Sequence, residues 1–353
     1  MTERVANVIG LGLIGGSIAK ALVARGWVVW GDDNDAQRVA QAVELDVISQ
    51  GGLCPDAYVT FVAVPVLGVV AAVSEALART SGFVTDVASV KGSIAAAHND
   101  PRFIPGHPMA GSELDGLSGA DPEMFTGAVW VLTPTPSTSD ATFSAVASVV
   151  ASLGAEVVVV GPDRHDELVA IVSHVPHLTA ATMMNMANAR ADDHAALLRL
   201  AAGGFRDMTR IASGSPAIWL DICTENRAAI VQGLDSLVAG LIETRRVVAD
   251  GDLEALERQL AGARQARTNL PVRGGRLVDA TEVRIPIADR AGAAAEIFTL
   301  AAELGVNIAD FEVFHSAEGD RGVLILMIER AQTDLFRGGL VARGYRPSMR
   351  KLD

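Results

Sequence analysis

The stretch NVIGLGLIGGS, residues 7–17, decides how the chain begins to fold. A short apolar run leads directly into Gly10, Gly12 and Gly15, which complete a GxGxxG pattern. The first glycine permits a tight turn, the second lets a pyrophosphate approach the backbone, and the third lets the next helix pack closely on the strand. The spacing predicts a strand, a phosphate-binding turn and a helix; a purely structural turn is the alternative.

The residues around these glycines favour a bound dinucleotide. Leu13 and Ile14 begin the predicted helix, so the amides at its N-terminus face the phosphates. WGDD ends a second predicted strand, where this class of site carries an acidic residue for the adenosine ribose. Either Asp32 or Asp33 is expected to bind the ribose, and the sequence does not distinguish them. Because a carboxylate repels the extra phosphate of NADP, we expect NAD as the cofactor.

Short apolar strands alternate with alanine-rich helical stretches from the glycine pattern to residue 161. The strand-like segments are VANVIG, VVWGDD, YVTFVAVP, GFVTDVAS, RFIPGH, AVWVLTP and EVVVVG. Such alternation predicts an α/β fold with a mostly parallel, doubly wound sheet of the Rossmann type over residues 1–161.

Two further domains are predicted downstream. Residues 162–270 are helical and strongly apolar, so we expect a substrate-binding domain that forms a homodimer to cover its apolar surface. A linker with proline and glycine at 269–281 precedes the order strand, helix, strand, strand, helix, with a short final strand. This order predicts a small ferredoxin-like α+β domain over residues 280–353.

Composition argues against several classes of partner. The 353 residues carry a formal net charge of −13, which repels nucleic acid and anionic membranes at long range. No apolar run is long enough to span a bilayer, and the start lacks the pattern of a secretory signal, so we expect a cytoplasmic protein. Cys54 and Cys223 show no metal-binding spacing, so reduced thiols are expected.

His107 is the candidate catalytic base. It lies between Gly106 and Pro108 in FIPGHPMAGSE, residues 103–113, at the end of a late predicted strand. The proline biases His107 toward extended backbone angles, so a stiff turn aims the ring. A neutral imidazole there can accept a hydroxyl proton while a hydride leaves the same carbon for a nicotinamide. A histidine satisfied by the backbone is the alternative.

Polar residues after another predicted strand and around a predicted helix break supply further candidates. Ser89, in TDVASVKG, is expected to bond a substrate hydroxyl or to orient the imidazole; a surface serine at a helix cap is the alternative. His174 and His177 flank Pro176, which interrupts a helical stretch. No third ligand stands at a matching spacing, so we expect no metal and assign His177 to substrate contact.

Arg210 and Trp219 lie in GGFRDMTRIASGSPAIWLDI, residues 203–222, a stretch too polar for a core helix. Arginine can bind a carboxylate through two parallel hydrogen bonds, and a tryptophan can form the wall of a pocket. This neighbourhood favours substrate binding for both residues; a solvated surface charge is the alternative for Arg210.

Five motifs occur in the same order as in the prephenate/arogenate dehydrogenase family, which the first three quarters of the chain resemble. They are GLGLIGGS, TDVASVKG, PGHPMAGSE, SHVPH and GGFRDMTRIASGSPAIW. The tail, with IPIADRAGAAAEIF, resembles an ACT regulatory domain. The family resemblance implies NAD-dependent oxidative decarboxylation of prephenate to 4-hydroxyphenylpyruvate in tyrosine biosynthesis.

The same resemblance implies a role for each matching residue. His107 deprotonates the ring hydroxyl as a hydride passes to NAD, and the ring carboxylate leaves as carbon dioxide because its loss makes the ring aromatic. Ser89 lies beside that hydroxyl, Arg210 and His177 hold a substrate carboxylate, and Trp219 lines the cavity.

Further matches concern the pocket entrance and the cofactor. Ser112 and Glu113, in the AGSE segment, are implied to border the substrate, with Glu113 in a gating position near the arginine. Asp33 matches the aspartate of the family pattern, whereas Asp32 replaces an aromatic residue.

Alternatives to this interpretation concern the substrate, the base and the class of protein. Arogenate, with an amino group in place of the keto group, is the alternative substrate. A 3-hydroxyacid-type dehydrogenase would use Lys91 as its catalytic group, and a non-catalytic sensor would bind NAD and an amino acid without turnover. From the ACT-like tail, an aromatic amino-acid effector is expected near Asp289, Arg290 and Gly292; competition by tyrosine in the active site is the other route.

Overall fold

The computed structural model describes residues 4–111, 114, 116–190, 201–270, 280–288, 290, 292–315 and 321–351. The chain divides into two compact units, Met1–Leu256 and Glu257–Asp353. The division falls inside a helix rather than in the proposed linker at 269–281, so the limits of the three predicted domains stay predictions.

A six-stranded parallel sheet forms the centre of the first unit in the described part of the chain. Its strands are β1 Val5–Ile9, β2 Val28–Asp32, β3 Gln50–Gly51, β4 Val59–Val62, β5 Phe83–Asp86 and β6 Phe103–Ile104. Their order is β3-β2-β1-β4-β5-β6. From β1 the chain adds β2 and β3 on one side and β4, β5 and β6 on the other. This change of side between β1 and β4 opens a crevice at the carboxyl ends of these two parallel strands, where doubly wound folds bind dinucleotides.

Helices connect the strands of this sheet. They are α1 Leu13–Val23, α2 Ala36–Glu44, α3 Val66–Arg79 and α4 Gly92–Ala97. The central strands are apolar and fully buried, as at Val8, Val29, Val59 and Phe61, because helices cover both faces of a parallel sheet. The expected Rossmann-type fold is therefore confirmed.

The parallel sheet ends within RFIPGH, so the last two strand-like segments of the sequence pattern, AVWVLTP and EVVVVG, belong to a second sheet. RFIPGH is not one strand: Pro105 separates β6 from β7 Gly106–Pro108, which starts a second sheet with β8 Val129–Leu132 and β9 Glu156–Val159. Proline has no N–H to continue a strand ladder, so the chain leaves the first sheet at this residue. Strand β7 runs antiparallel to β8, and α5 Asp140–Ser152 connects β8 with β9.

The rest of the first unit is helical. Its helices are α6 Pro162–Val169, α7 Val175–Asn188, α8 Gly203–Thr209, α9 Pro216–Glu225, α10 Arg227–Asp250 and α11 Leu253–Thr268, the last of which continues into the second unit. Large apolar side chains remain exposed on these helices, among them Met186, Leu220 and Ile242, each more than 60% exposed. No helix within the described ranges is both long and apolar enough to cross a membrane.

The C-terminal unit contains a four-stranded antiparallel sheet among its described residues. Its elements are β10 Ala280–Ala288, α12 Ala293–Glu303, β11 Ile308–His315, β12 Arg321–Glu329, α13 Thr333–Ala342 and β13 Ser348–Lys351. The strand order β11-β12-β10-β13 is that of the ferredoxin-like βαββαβ arrangement. Its own apolar core includes Val283, Ile297, Leu326 and Phe336.

Candidate active site

The glycine-rich turn has the shape that a pyrophosphate requires. Gly10 adopts a φ of +91°, and a Cβ there would lie 2.4 Å from the carbonyl oxygen of Ala63. A Cβ at Gly15 would lie 1.8 Å from the carbonyl oxygen of Gly10, so only glycine fits at this position in the first turn of α1. By contrast, a Cβ at Gly12 would meet no described atom within 4 Å. The turn is thus tight against the sheet and open at Gly12, which fits a dinucleotide whose phosphates approach the backbone.

Both candidate aspartates contact this turn. The carbonyl of Asp32 accepts the N–H of Gly10 at 2.7 Å. The Asp33 carboxylate accepts the N–H of Leu11 at 2.7 Å and pairs with Arg38 at 3.1 Å, and its side chain is only 3% exposed. Asp33 therefore fixes the turn to the end of β2, and its contact with a ribose stays a prediction.

A buried ion pair holds the segment that carries His107. Lys91 and Asp86 form a salt bridge with both side chains completely buried. The Asp86 carboxylate accepts the N–H of Gly106 at 3.3 Å, and the Lys91 ammonium donates to the Gly106 carbonyl at 2.7 Å. Both backbone polar groups of Gly106, the residue immediately before His107, are thereby held. The Lys91 ammonium thus bonds both the Asp86 carboxylate and the Gly106 carbonyl. These structural contacts argue against the alternative in which Lys91 is the catalytic group.

The His107 side chain leads into a chain of hydrogen bonds that the sequence analysis missed. Its Nδ1 lies 2.8 Å from Nε2 of His165, and Nδ1 of His165 lies 2.8 Å from Oδ1 of Asp166. The two rings meet edge to face, with centroids 5.1 Å apart. His165 and Asp166 are adjacent on α6, in the segment GPDRHDE that begins the helical region.

The Asp166 side chain also caps the N-terminus of a helix that is distant in the sequence. Its carboxylate accepts the N–H groups of Lys91 and Gly92, each at 2.8 Å, at the start of α4. Together with the His165 ring, three donors converge on this carboxylate. A carboxylate held by three donors has a fixed position, so it can fix the orientation of the ring that donates to it.

Burial gives His107 the protonation state that a base needs. Burial lowers the pKa of the half-buried His107 well below its ordinary 6.5, and the nearby Lys91 ammonium acts in the same direction. The ring is therefore neutral near physiological pH and can accept a proton.

A second histidine network joins α6 to the helical region. Asn226 donates to the backbone carbonyl of Asp166 at 2.8 Å and bonds Nδ1 of His174 at 3.2 Å. The His174 ring meets Trp219 edge to face, and burial lowers the pKa of His174 to about 4. His177 stacks on Trp219 at a centroid distance of 3.5 Å. Burial also lowers the pKa of His177, so its ring favours the neutral form.

The predicted break at Pro176 takes a particular form. Residues Ala170–His174 form a π-helical turn, and Pro176 lies in the first turn of the new helix α7. Single π-helical turns occur frequently at functional sites because they alter which side chains share a face. Here the turn precedes the helix that positions His177 against Trp219.

The remaining candidates have less defined surroundings. Arg210 is exposed and begins a short 3₁₀ turn, Arg210–Ser213, that packs on α7. A Cβ at Gly214, which follows this turn, would lie 3.4 Å from His177 and 3.5 Å from Trp219, so the turn adjoins the stacked rings. Ser89 is half-buried in the loop between β5 and α4, two residues before Lys91.

Three predicted site residues lie outside the described residues: Ser112, Glu113 and Asp289. Arg290 and Gly292 belong to the C-terminal unit, where Gly292 immediately precedes α12 with a φ of +87° and Arg290 pairs with Glu296 at 2.6 Å. Within the described residues no group of three or more His, Cys, Asp or Glu side chains could hold a metal ion.

Hydrogen bonds connect His107 to His174 by way of His165, Asp166 and Asn226. Ring contacts continue from His174 to Trp219 and His177. The residues that sequence reasoning missed are His165, Asp166, Asp86 and Asn226. A histidine next to an aspartate in GPDRHDE was the available signal for the first two. Only the fold shows that they face a residue 58 positions earlier.

The parallel sheet, with a glycine-rich turn at its switch point, defines a nucleotide-binding protein of the Rossmann class. Two family models match: "Prephenate dehydrogenase, nucleotide-binding domain" over residues 18–159 and "Prephenate dehydrogenase, dimerization domain" over residues 161–262. The chain is 31% identical over 334 residues to the prephenate dehydrogenase of Bacillus subtilis (strain 168), covering 89% of each chain. It belongs to the prephenate dehydrogenase family, as the motifs indicated.

Two solved structures are similar to the first three quarters of the chain. The prephenate dehydrogenase of A. aeolicus in complex with hydroxyphenyl propionate and NAD+ is 26% identical, with a TM-score of 0.71 over 76% of this chain and 98% of that one. The arogenate dehydrogenase of Synechocystis is 29% identical, with a TM-score of 0.64 over 75% and 99% of the two chains.

Proposed function

We propose that the protein is a NAD-dependent prephenate dehydrogenase, which converts prephenate to 4-hydroxyphenylpyruvate and carbon dioxide. The observation that carries this proposal is the environment of His107. Its imidazole is half-buried and has a lowered pKa, and the backbone of Gly106 before it is held by Asp86 and Lys91. The chain also belongs to the family and has the glycine-rich turn. Bound NAD would be the hydride acceptor, held at Gly10, Gly12 and Gly15 with Asp33 near the ribose.

In this proposal His107 performs the proton transfer. Its neutral ring accepts the proton of the substrate ring hydroxyl as that carbon is oxidised to a ketone. Loss of the ring carboxylate as carbon dioxide then leaves its electron pair in the ring, which becomes aromatic with a phenolate oxygen. The His107 imidazolium returns its proton to that oxygen, so the base is regenerated in each turnover. Ser89 is proposed to bond the same hydroxyl.

Substrate carboxylate recognition is assigned to the helical region. We propose that Arg210 binds a carboxylate with help from His177, and that Trp219 forms the wall of the cavity. The adjoining positions of the Arg210 turn, His177 and Trp219 support this assignment. Ser112 and Glu113 are proposed to border the same pocket, with Glu113 as a gate. A dianionic substrate that approaches a chain with a net charge of −13 requires such a local cation.

The direct test is NADH formation by purified protein, measured by absorbance with prephenate and with arogenate, each with NAD and with NADP. NADH from prephenate with NAD supports the proposal. Preference for arogenate would favour the second candidate, which the similarity to the Synechocystis arogenate dehydrogenase supports. Binding of NAD and tyrosine without turnover of either substrate would favour a sensor instead.

Substitutions at Gly12 and Gly15 separate cofactor binding from folding. Gly12→Ala is expected to leave the unfolding midpoint unchanged, because its methyl group meets no described atom within 4 Å. The same change is expected to weaken NAD binding by about tenfold or more, since the methyl group displaces the pyrophosphate from the backbone. Gly15→Ala is expected to lower the unfolding midpoint as well, because its Cβ would overlap the Gly10 carbonyl. Fluorescence titration with NAD and urea unfolding measure the two effects. Unchanged NAD affinity in Gly12→Ala would contradict the proposed site.

We also propose that the protein is a homodimer joined through the helical region. α10 has few buried residues and exposes Val231, Val238, Leu241 and Ile242. A cavity of about 790 Å³ beside it is lined largely by apolar groups, including Val175, Met183 and Leu237. An apolar surface of this kind is typical of an obligate interface between subunits. The dimerization-domain family model covers the same residues.

For the C-terminal unit we propose an ACT-like regulatory role, in which an aromatic amino acid binds near Asp289, Arg290 and Gly292. The ferredoxin-like topology of this unit supports it. Deletion of residues 280–353 is expected to abolish the effect of tyrosine or phenylalanine on NADH formation while turnover persists, because the first unit has its own core. Enzyme assays with each amino acid measure this effect. If the deleted protein responds as before, inhibition occurs by competition in the active site.

A further inference from the structure

We propose that His165 is a positioning residue that fixes the tautomer of His107, so that Nε2 of His107 is the unprotonated atom presented to the substrate. The proposal deepens the proposed function and rests on it for the role of His107 as base. It starts from the two hydrogen bonds that join His107, His165 and Asp166.

The direction of these hydrogen bonds follows from the chemistry of a carboxylate. The Asp166 carboxylate can only accept, so the proton between it and the His165 ring lies on Nδ1 of His165. In a neutral His165 ring Nε2 is then bare and accepts a hydrogen bond. The donor opposite it is Nδ1 of His107, at 2.8 Å. A neutral His107 ring with its proton on Nδ1 has a lone pair on Nε2.

The surroundings make this arrangement rigid. The His165 side chain is 1% exposed, and the carboxylate that orients it is fixed by the N-terminus of α4. The backbone of Gly106, directly before His107, is fixed by Asp86 and Lys91. No described residue hydrogen-bonds Nε2 of His107, and the residue is half-buried rather than fully enclosed.

The consequence for catalysis is twofold. A histidine that exchanged freely between tautomers would present an N–H to the substrate hydroxyl for part of the time, and this form cannot act as a base. Once Nε2 of His107 accepts the proton, the imidazolium still donates through Nδ1 to His165. The Asp166 carboxylate lies one ring away and stabilises that charge.

Asparagine and glutamine at position 165 form a matched pair that separates these roles. The asparagine amide occupies the position of Nδ1 of His165 and keeps the hydrogen bond to Asp166, but the hydrogen bond to His107 is lost. The glutamine amide reaches the place of Nε2, where its oxygen accepts from His107, while the bond to Asp166 is lost. His165→Asn is expected to lower kcat about 10²-fold and His165→Gln no more than about tenfold, with KM for prephenate and the Kd of NAD unchanged in both.

The tautomer itself is read by proton–nitrogen correlation spectra of protein labelled with nitrogen-15, with His107 signals assigned through His107→Asn. We expect the Nδ1–H form in the wild type and in His165→Gln, and a tautomer mixture in His165→Asn. An Nε2–H form in the wild type, or a cationic His165 that donates to His107, would overturn the proposal. So would equal kcat in the two variants. Because the spectra need no substrate, they test the tautomer even if prephenate proves not to be turned over.

Discussion

Replacement of His107 by asparagine is expected to lower kcat for prephenate by about 10²–10⁴-fold, the usual contribution of a general base. The asparagine amide can still donate toward His165, so the loss reports the missing base rather than a collapsed network. NAD affinity is expected to remain unchanged because the glycine-rich turn is untouched. NADH formation at saturating substrate and titration with NAD measure the two quantities.

The pH profile of the wild type adds a second check on His107. Because burial lowers the pKa of this ring, its neutral form persists as the pH falls below 6.5, and the acid limb of kcat/KM is expected below that value. A limb at or above 6.5 would assign the base to another group. Turnover by His107→Asn within tenfold of the wild type would likewise remove His107 from the mechanism.

Replacement of Lys91 by methionine is expected to destabilise the protein by about 3–5 kcal/mol, because it leaves the completely buried Asp86 carboxylate without its partner. The double variant Asp86→Asn, Lys91→Met is expected to recover part of this loss, since the buried carboxylate is then neutral. Free energies of unfolding from urea titrations measure both effects.

The same variants decide between Lys91 as a structural residue and Lys91 as the base of a 3-hydroxyacid-type dehydrogenase. A catalytic lysine would lose turnover in Lys91→Met without a change in the free energy of unfolding. Arg79→Met is the control, because Arg79 forms an exposed ion pair with Glu75, and such pairs contribute about 0–1 kcal/mol. If Lys91→Met is no less stable than this control, the buried pair does not hold the His107 segment in the way the distances indicate.

Local sequence patterns were sufficient for the class of fold. The glycine spacing at residues 10–15 and the alternation of strands and helices predicted the doubly wound sheet, since both depend on neighbours in sequence. The order of elements in the tail likewise predicted the ferredoxin-like unit. The exception was RFIPGH, where Pro105 ends one sheet and the next residue begins another. A proline marks a break in a ladder, but the sequence does not show where the chain goes afterwards.

The sequence by itself determined the family, the glycine-rich turn and the choice of His107, because each depends on residue types at short spacing. The tertiary structure alone decided what surrounds that ring. His165 meets His107 across 58 residues, Asp166 caps a helix 74 residues away, and Lys91 is an internal ion-pair partner rather than a free ammonium. These contacts leave no regular pattern in the sequence, because they arise only when the sheet and the helical region pack together and exclude water from the charges between them.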